Sequence, residues 1–272
     1  MTSSFGAKII HDFSRAAKTY DNYAYLQRKI ADQLFVQNMN LWKPEGDSPH
    51  QNNRILDIGC GTGYFHELLR KNKIYSPLMQ LDISPEMCKI SANYASSQEY
   101  GDTFTCNADM HTLPFAHGAF ANIFSSMTMQ WADNLGKCVQ EAKKVLTKNG
   151  HFVLSLVGKG SMPELTNAFL LSGRTPPIHN FADISELQFH LNQSGLSIKS
   201  LYQDNITMLH KDFNSLLRSI KGVGASYKNA QAAGLKGKNY FTGIESIYRK
   251  EFQNGDGLPL SWNIIYAIAE ND

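Results

Sequence analysis

The chain has 272 residues, enough for one large domain with a substantial buried core. With 42% hydrophobic and 18% charged residues and a net charge of +2, it is neither a disordered nor a fibrous sequence. No apolar run approaches the roughly 18 residues of a membrane span, and the N-terminus lacks the long apolar core of a signal peptide, so a cytoplasmic protein with no membrane partner is expected.

From the N-terminus, Ile9 to Leu41 forms an amphipathic segment with Tyr20, Tyr23, Leu26, Ile30, Leu34 and Val36 at three- and four-residue steps. It reads either as a helix packed on a sheet or as a lid over a ligand mouth, with Pro44 to Asn53 as the linker that follows. Next comes RILDIGCGTGYF: Arg54 to Ile58 is a buried parallel strand, Gly59 to Gly63 a tight turn, and Tyr64 to Arg70 the start of a helix. Three glycines at alternate positions let the backbone take positive φ and approach a ligand closely, ahead of a helix N-terminus with unpaired N–H groups. A dinucleotide fingerprint, G-x-G-x-x-G, would need its third glycine where Tyr64 stands. Asp57, just before the turn, would repel a pyrophosphate and suit a ligand amino group.

Leu78 to Leu81 is the second strand, and Asp82 ends it at about the 20-residue offset where a carboxylate grips ribose hydroxyls. A third short run begins at Thr103 and leads to Asp109 within CNADMHTLPF. Ala121 to Ser125 is the fourth strand, Leu135 to Leu146 a helix stopped by Asn149-Gly150, and His151 to Val157 the fifth strand. Helices around Pro163 to Leu171 and from Ile184 to Ser194, the latter stopped by Gly195, precede a long run from Leu196 to Leu209. Phe213 to Ile220 reads as a helix and Trp262 to Ala269 as the closing strand. Alternating strands and helices predict an open parallel α/β sheet. The four cysteines, Cys60, Cys88, Cys106 and Cys138, are widely spaced, and no metal-site spacing occurs among them or the histidines, so free thiols and no metal are expected.

The pattern D-x-G-x-G-x-G resembles motif I of the class I S-adenosylmethionine-dependent methyltransferases, whose ligand carries an ammonium and a sulfonium but no phosphate. The resemblance implies a Rossmann-like class I methyltransferase fold: a mostly parallel seven-stranded sheet with helices on both faces. It further implies an N-terminal helical lid over residues 1–50 and a catalytic domain over 51–272, with helical insertions at about 160–195 and 211–255. S-adenosylmethionine, leaving as S-adenosylhomocysteine, would lie against Asp57, Gly59, Cys60, Gly61 and Gly63. Asp82, with Ile83 and Met87 beside it, would hold the ribose. Asp109 would accept the adenine amino group, Met110 would supply backbone and packing contacts, and Ser125 would flank the cofactor from the fourth strand.

FSRAAKTYDNYAYLQ (13–27), SSMTMQW (125–131), GKGSMPEL (158–165) and SIKGVGAS (219–226) are similar to one branch of these enzymes, the biotin-pathway malonyl-acyl-carrier-protein O-methyltransferases. The resemblance implies methyl transfer to the free carboxylate of a malonyl thioester on acyl carrier protein, or on CoA, giving the ester that primes pimeloyl synthesis. At His179 to Phe181 the chain shows HNF where the branch has an Asn-Arg-Phe-like element, so another cation would meet the substrate carboxylate. Such a carboxylate is ionised at neutral pH and needs no base. Tyr20, Gln130 and Trp131 are the candidate catalytic residues. Tyr25 and the cations Arg15, Arg28 and Lys159 are candidates for substrate binding. Residues 205–251 carry eight basic against three acidic residues, and Arg218 and Lys221 within them are candidates for docking an acidic carrier. No nucleic-acid motif accompanies that charge, and a monomer is expected. Two alternatives stay open: a methyltransferase for a quinone precursor or a free polycarboxylic acid, and a noncatalytic cofactor-binding protein.

Overall fold

The computed structural model describes residues 4–43, 53–96, 102–176, 178–223, 238–255 and 257–272; the expected linker, apart from Asn53, lies outside the described residues. Seven strands form one sheet in the order β3-β2-β1-β4-β5-β7-β6. They are β1 (Ile55–Ile58), β2 (Leu78–Asp82), β3 (Thr103–Asn107), β4 (Phe120–Ser126), β5 (Leu146–Val157), β6 (Ser197–His210) and β7 (Leu258–Asn271). The pairs among β1 to β5 are parallel, whereas β7 runs antiparallel to both β5 and β6. All four residues of β1 are buried, which explains why it reads as an unbroken apolar run rather than an alternating one. Among the described residues, no helix is long and apolar enough to cross a membrane.

The N-terminal segment is not one helix. It divides into α1 (Ser4–Ala16), a 3₁₀ turn (Ala17–Asn22), α2 (Tyr25–Gln37) and the short α3 (Met39–Trp42). Thr19, Asp21 and Asn22 are weak helix formers, and the break turns Tyr20 away from the helical stripe. Val36, expected on the apolar face, is 64% exposed. The helices α4 (Tyr64–Lys71), α5 (Pro85–Ser96) and α6 (Leu135–Val145) follow strands one, two and four. α6 ends earlier than expected, because β5 begins at Leu146. Asn149, at φ 61°, and Gly150 form an irregularity inside that strand instead of stopping the helix. A Cβ on Gly150 would lie 2.8 Å from the Ala121 carbonyl, so only glycine lets β4 and β5 approach there. Later come α7 (Pro163–Leu171), α8 (Ile184–Ser194), α9 (Phe213–Gly222) and α10 (Lys238–Phe252).

Two apolar cores cover the two sheet faces. On one, Leu26, Ile30 and Leu34 of α2 pack with Phe65, Phe124, Leu165 and Leu216; on the other, Leu56, Ile58 and Leu81 pack with Val139 and Leu187. The first core is nucleated by aromatics. Trp42, fully buried, lies 5.2 Å from Phe65 and 5.8 Å from Phe124 between ring centroids, and its indole N–H donates to the Phe35 carbonyl at 3.0 Å. That cluster anchors the N-terminal helices to the sheet. Trp42→Ala should therefore cost about 3–5 kcal/mol of unfolding free energy in a urea titration, and a loss below about 1 kcal/mol would show that the segment is not held there.

Candidate active site

The carboxyl ends of β1, β2 and β4 open on the same side, where ligands bind in sheets of this kind. Just past β1, Gly59 has φ 79°, and a Cβ on it would sit 2.1 Å from Thr128 Oγ1, so the glycine turn packs directly against the chain after β4. Asp57 points into the space beneath. It is 2% exposed, and its Oδ2 has no hydrogen-bond partner. Burial pushes its carboxyl well above the usual carboxylate range, and the Asp82 charge adds to the shift.

A chamber of about 470 Å³ surrounds that orphaned oxygen, lined by Asp57, Cys60, Thr62, Gln27, Arg28 and Tyr20. Arg28 places its guanidinium 4.7 Å over the Tyr64 ring and its Nη2 3.2 Å from Asp21, while its buried Nε has no partner. An unpaired acid and an unpaired N–H in one small chamber complement a zwitterionic amino acid, in keeping with the methionine end of the expected cofactor.

Around Gly59 and Gly61 the chamber continues into a cleft of about 860 Å³ that contains Asp82, Asp109, Ile83, Met87 and Met110. Asp82 accepts N–H bonds from Gly61 at 3.0 Å and from Ser84 at 2.8 Å. Burial raises its pKa to about 6, even though the amides of Ser84, Gly61 and Ile83 oppose the rise. A carboxylate has about four lone-pair positions, which leaves room for ribose hydroxyls. Burial also acts on Asp109, but bonds from the backbone and ring of His111 outweigh it and hold the carboxyl low. A hydroxyl-gripping acid and a second acid farther along, with thioether and aliphatic walls between, fit an adenosine.

A second cleft, of about 900 Å³, crosses the ends of β4, β5, β7 and β6 past Gln130, Val157, Trp262 and Met208. Phe13, Tyr20, Met127 and Trp131 line both this cleft and the first. Tyr20 reaches all three spaces. Burial, with Asp82 and Asp21 adding and Arg28 opposing, drives its hydroxyl pKa upward, so Tyr20 stays protonated and can donate. Met127 holds φ 54°, a costly conformation for a side chain of its size, at the point where the clefts join.

Not every candidate residue lines a cleft. Gly63 caps α4 against Ser91, and Ser125 is buried with its hydroxyl donating to the Ile58 carbonyl at 3.0 Å; the adjacent Ser126 lines the first cleft instead. Arg28 lies in the chamber beside Asp57 rather than in the second cleft. Arg15 is exposed on α1 near Asp12, and Lys159 lies in a separate surface groove behind Ile178 to Phe181. Tyr25 and Gln130 do line the second cleft. Arg218 and Lys221 lie on the exposed face of α9, whose Ser219 and Ile220 line it from within. Among the described residues, no Lys or Arg lines the second cleft. Phe13, Met127, His179 and His210 do, and none is among the candidates, although Phe13 and Met127 fall inside segments that carry the family resemblance and His179 lies where the chain departs from it. No sequence signal marks His210.

Residues 56–154 match a family model described as a methyltransferase domain. A malonyl-[acyl-carrier protein] O-methyltransferase of Laribacter hongkongensis is 27% identical, over 99% of this chain and 91% of its own. The chain has the class I methyltransferase fold. Its resemblance to the malonyl-carrier branch holds for nearly the whole length of the chain. The biotin biosynthesis bifunctional protein BioHC of Saccharophagus degradans is 31% identical, over 95% of this chain and 45% of that longer protein. A solved geranyl diphosphate methyltransferase in complex with SAM shares the fold at TM-score 0.52 and 14% identity, covering 89% of this chain and 85% of its own.

The raised Asp82 pKa gives the site a pH signature. Hydroxyl donors favour the ionised carboxylate, so affinity for S-adenosylmethionine should be full above pH 6 and fall as pH drops through about 6. Asp82→Asn should bind about ten- to a hundredfold more weakly at pH 7.5 and lose part of that acid-side fall; calorimetry at pH 7.5 and 5.5 measures both. Equal affinity of the two proteins at both pH values would remove Asp82 from the site.

Proposed function

We propose that the protein transfers the methyl group of S-adenosylmethionine to the free carboxylate of a malonyl thioester on acyl carrier protein, forming the methyl ester that primes pimeloyl synthesis in biotin biosynthesis. The observation that carries this reading is the junction of the two clefts. A compartment suited to a zwitterion, a diol and a base abuts an apolar one across Phe13, Tyr20, Met127 and Trp131. Relatives matched over nearly all of this chain are named for that activity.

Bound beside Asp57 and Asp82, S-adenosylmethionine would supply the methyl group for the carboxylate oxygen, its sulfur being an intrinsically good leaving group that would keep the C–S electron pair. The chain's task is positioning. Asp57 and Arg28 hold the amino-acid end, and Asp82 and Asp109 fix sugar and base. Phe13, Met127 and Trp131 keep water from the reacting atoms, which strengthens every polar contact inside. Tyr20, kept protonated, donates to the substrate oxygen that does not attack and so aims the other one. No residue has to remove a proton, because the carboxylate is already ionised.

The N-terminal segment serves as a cover. It is tied down by Thr62 to Asp21 at 2.8 Å, Tyr64 to Asp32 at 2.7 Å and Ser14 to Ser84 at 2.9 Å, contacts that link it to the loops after β1 and β2. Arg218 and Lys221, on the outer face of α9, offer positive charge to an acidic carrier beside the second cleft and steer its approach. The reaction takes place in the cytoplasm and needs one chain, no metal and no nucleic acid.

Incubation with S-adenosylmethionine and malonyl carrier protein should add the mass of one CH₂ to the malonyl group. Tyr20→Phe should lower turnover about ten- to a hundredfold with cofactor affinity nearly intact, the loss expected for a hydrogen bond to a charged group. Methylation of a free polycarboxylic acid or quinone precursor, with none on the thioester, would overturn the assignment.

A further inference from the structure

The second cleft is much longer than a malonyl group. From β4 to the sheet edge at β6 there are three inter-strand steps, by way of β5 and β7, which is roughly 14 Å at 4.8 Å each. A malonyl unit is about as long as one extended residue, roughly 3.5 Å. With its carboxylate at the junction by Tyr20 and Trp131, it leaves about 10 Å of cleft toward β6 for something else. Most of that stretch is apolar, through Val157, Met208, Ile220 and Trp262.

Its far end is not apolar. His210, the last residue of β6, lines the cleft opposite Leu258 of β7, and its buried Nε2 has no hydrogen-bond partner. Among the other polar groups of the cleft, His179 beside Trp131 bonds the Gln130 carbonyl at 3.0 Å and the Gln130 amide donates to the Met127 carbonyl at 2.7 Å, while the buried Oε1 atoms of Gln27 and Gln130 have no partner. Asp212, close in sequence to His210, is engaged in capping α9 through Ser215. A buried unsatisfied nitrogen is costly, and an alkyl chain lying against it would leave it so. Burial holds the His210 ring below the ordinary histidine range, with Asp212 opposing, so the neutral ring suits an uncharged polar partner better than a carboxylate.

We propose that His210 binds the substrate's thioester arm: its Nε2 hydrogen-bonds a peptide-like amide about 10 Å beyond the malonyl unit, and the cleft thereby selects arm-borne malonyl groups over free dicarboxylic acids. The inference rests on the malonyl-thioester reading and adds to it the residue that reads the arm. α9, which carries Arg218 and Lys221 on its exposed face, also lines the cleft through Ser219 and Ile220.

The test compares malonyl pantetheine with the S-methyl thioester of malonate, which has the reacting group and no amide. His210→Leu should lose about tenfold in kcat/KM on malonyl pantetheine, through KM, while its kinetics on the S-methyl thioester match the parent enzyme. His210→Gln, which keeps a donor and an acceptor, should restore most of the loss, and it carries the test if the leucine variant does not fold. Equal loss on both thioesters, or no loss on either, would overturn the assignment of His210. Failure of the unaltered enzyme to methylate either thioester, with turnover of a long free dicarboxylic acid, would overturn the malonyl reading itself and this proposal with it.

Discussion

The site is organised around one buried carboxylate that the protein leaves incomplete. Asp57 comes from β1, an interior strand of the sheet, where it is 2% exposed and its Oδ2 has no donor. Ionised in such a place it is costly, and burial holds its carboxyl well above the usual carboxylate range. A cationic ligand changes that balance, since it supplies the missing partner and lets the acid ionise. A dinucleotide's phosphates would do the reverse. The same turn that in other α/β sheets cradles phosphate here carries a buried acid that favours positive charge, with Asp82 lying close enough to raise the Asp57 pKa further.

From that acid outward the polarity falls in steps. The chamber beside Asp57 is charged, the first cleft mixes acids with aliphatic and thioether walls, and the second cleft has no Lys or Arg among its described lining residues. Methyl transfer to an ionised carboxylate benefits from such a gradient, because the reacting oxygen loses its water while the opposite charges of donor and acceptor are drawn together. Tyr20 sits where the three spaces meet. Its position depends on the break between α1 and α2, where weak helix formers interrupt the helix and Thr62 of the glycine turn bonds Asp21.

Much of the cofactor side was legible because its constraints are local. Arg54 to Phe65 contains in twelve adjacent residues the strand, the acid and the glycines, and Asp82 and Asp109 each follow an apolar run of a parallel strand. Ser125 shows the limit of such reading. Alternation along β4 sends its side chain into the sheet and leaves Ser126 on the cleft, and a register uncertainty of one residue reverses that outcome. Asn149-Gly150 is ambiguous for another reason: the same pair stops helices and makes strand irregularities, and only the close passage of Ala121 decides between them. The second cleft was least legible. Its walls come from α1, the 3₁₀ turn, α2, the ends of β4, β5 and β6, β7 and α9, so His210 and Trp131 come to line one cleft only through the tertiary fold.

The central claim is that Asp57 recognises the ammonium of the cofactor's amino-acid end. The most direct measurement is calorimetry on Asp57→Asn with two ligands, S-adenosylmethionine and 5′-methylthioadenosine, the latter lacking the amino-acid group. S-adenosylmethionine should bind about a hundredfold more weakly than to the unaltered protein, whereas 5′-methylthioadenosine should bind within about threefold. Unchanged affinity for S-adenosylmethionine, or an equal loss for both ligands, would contradict the account.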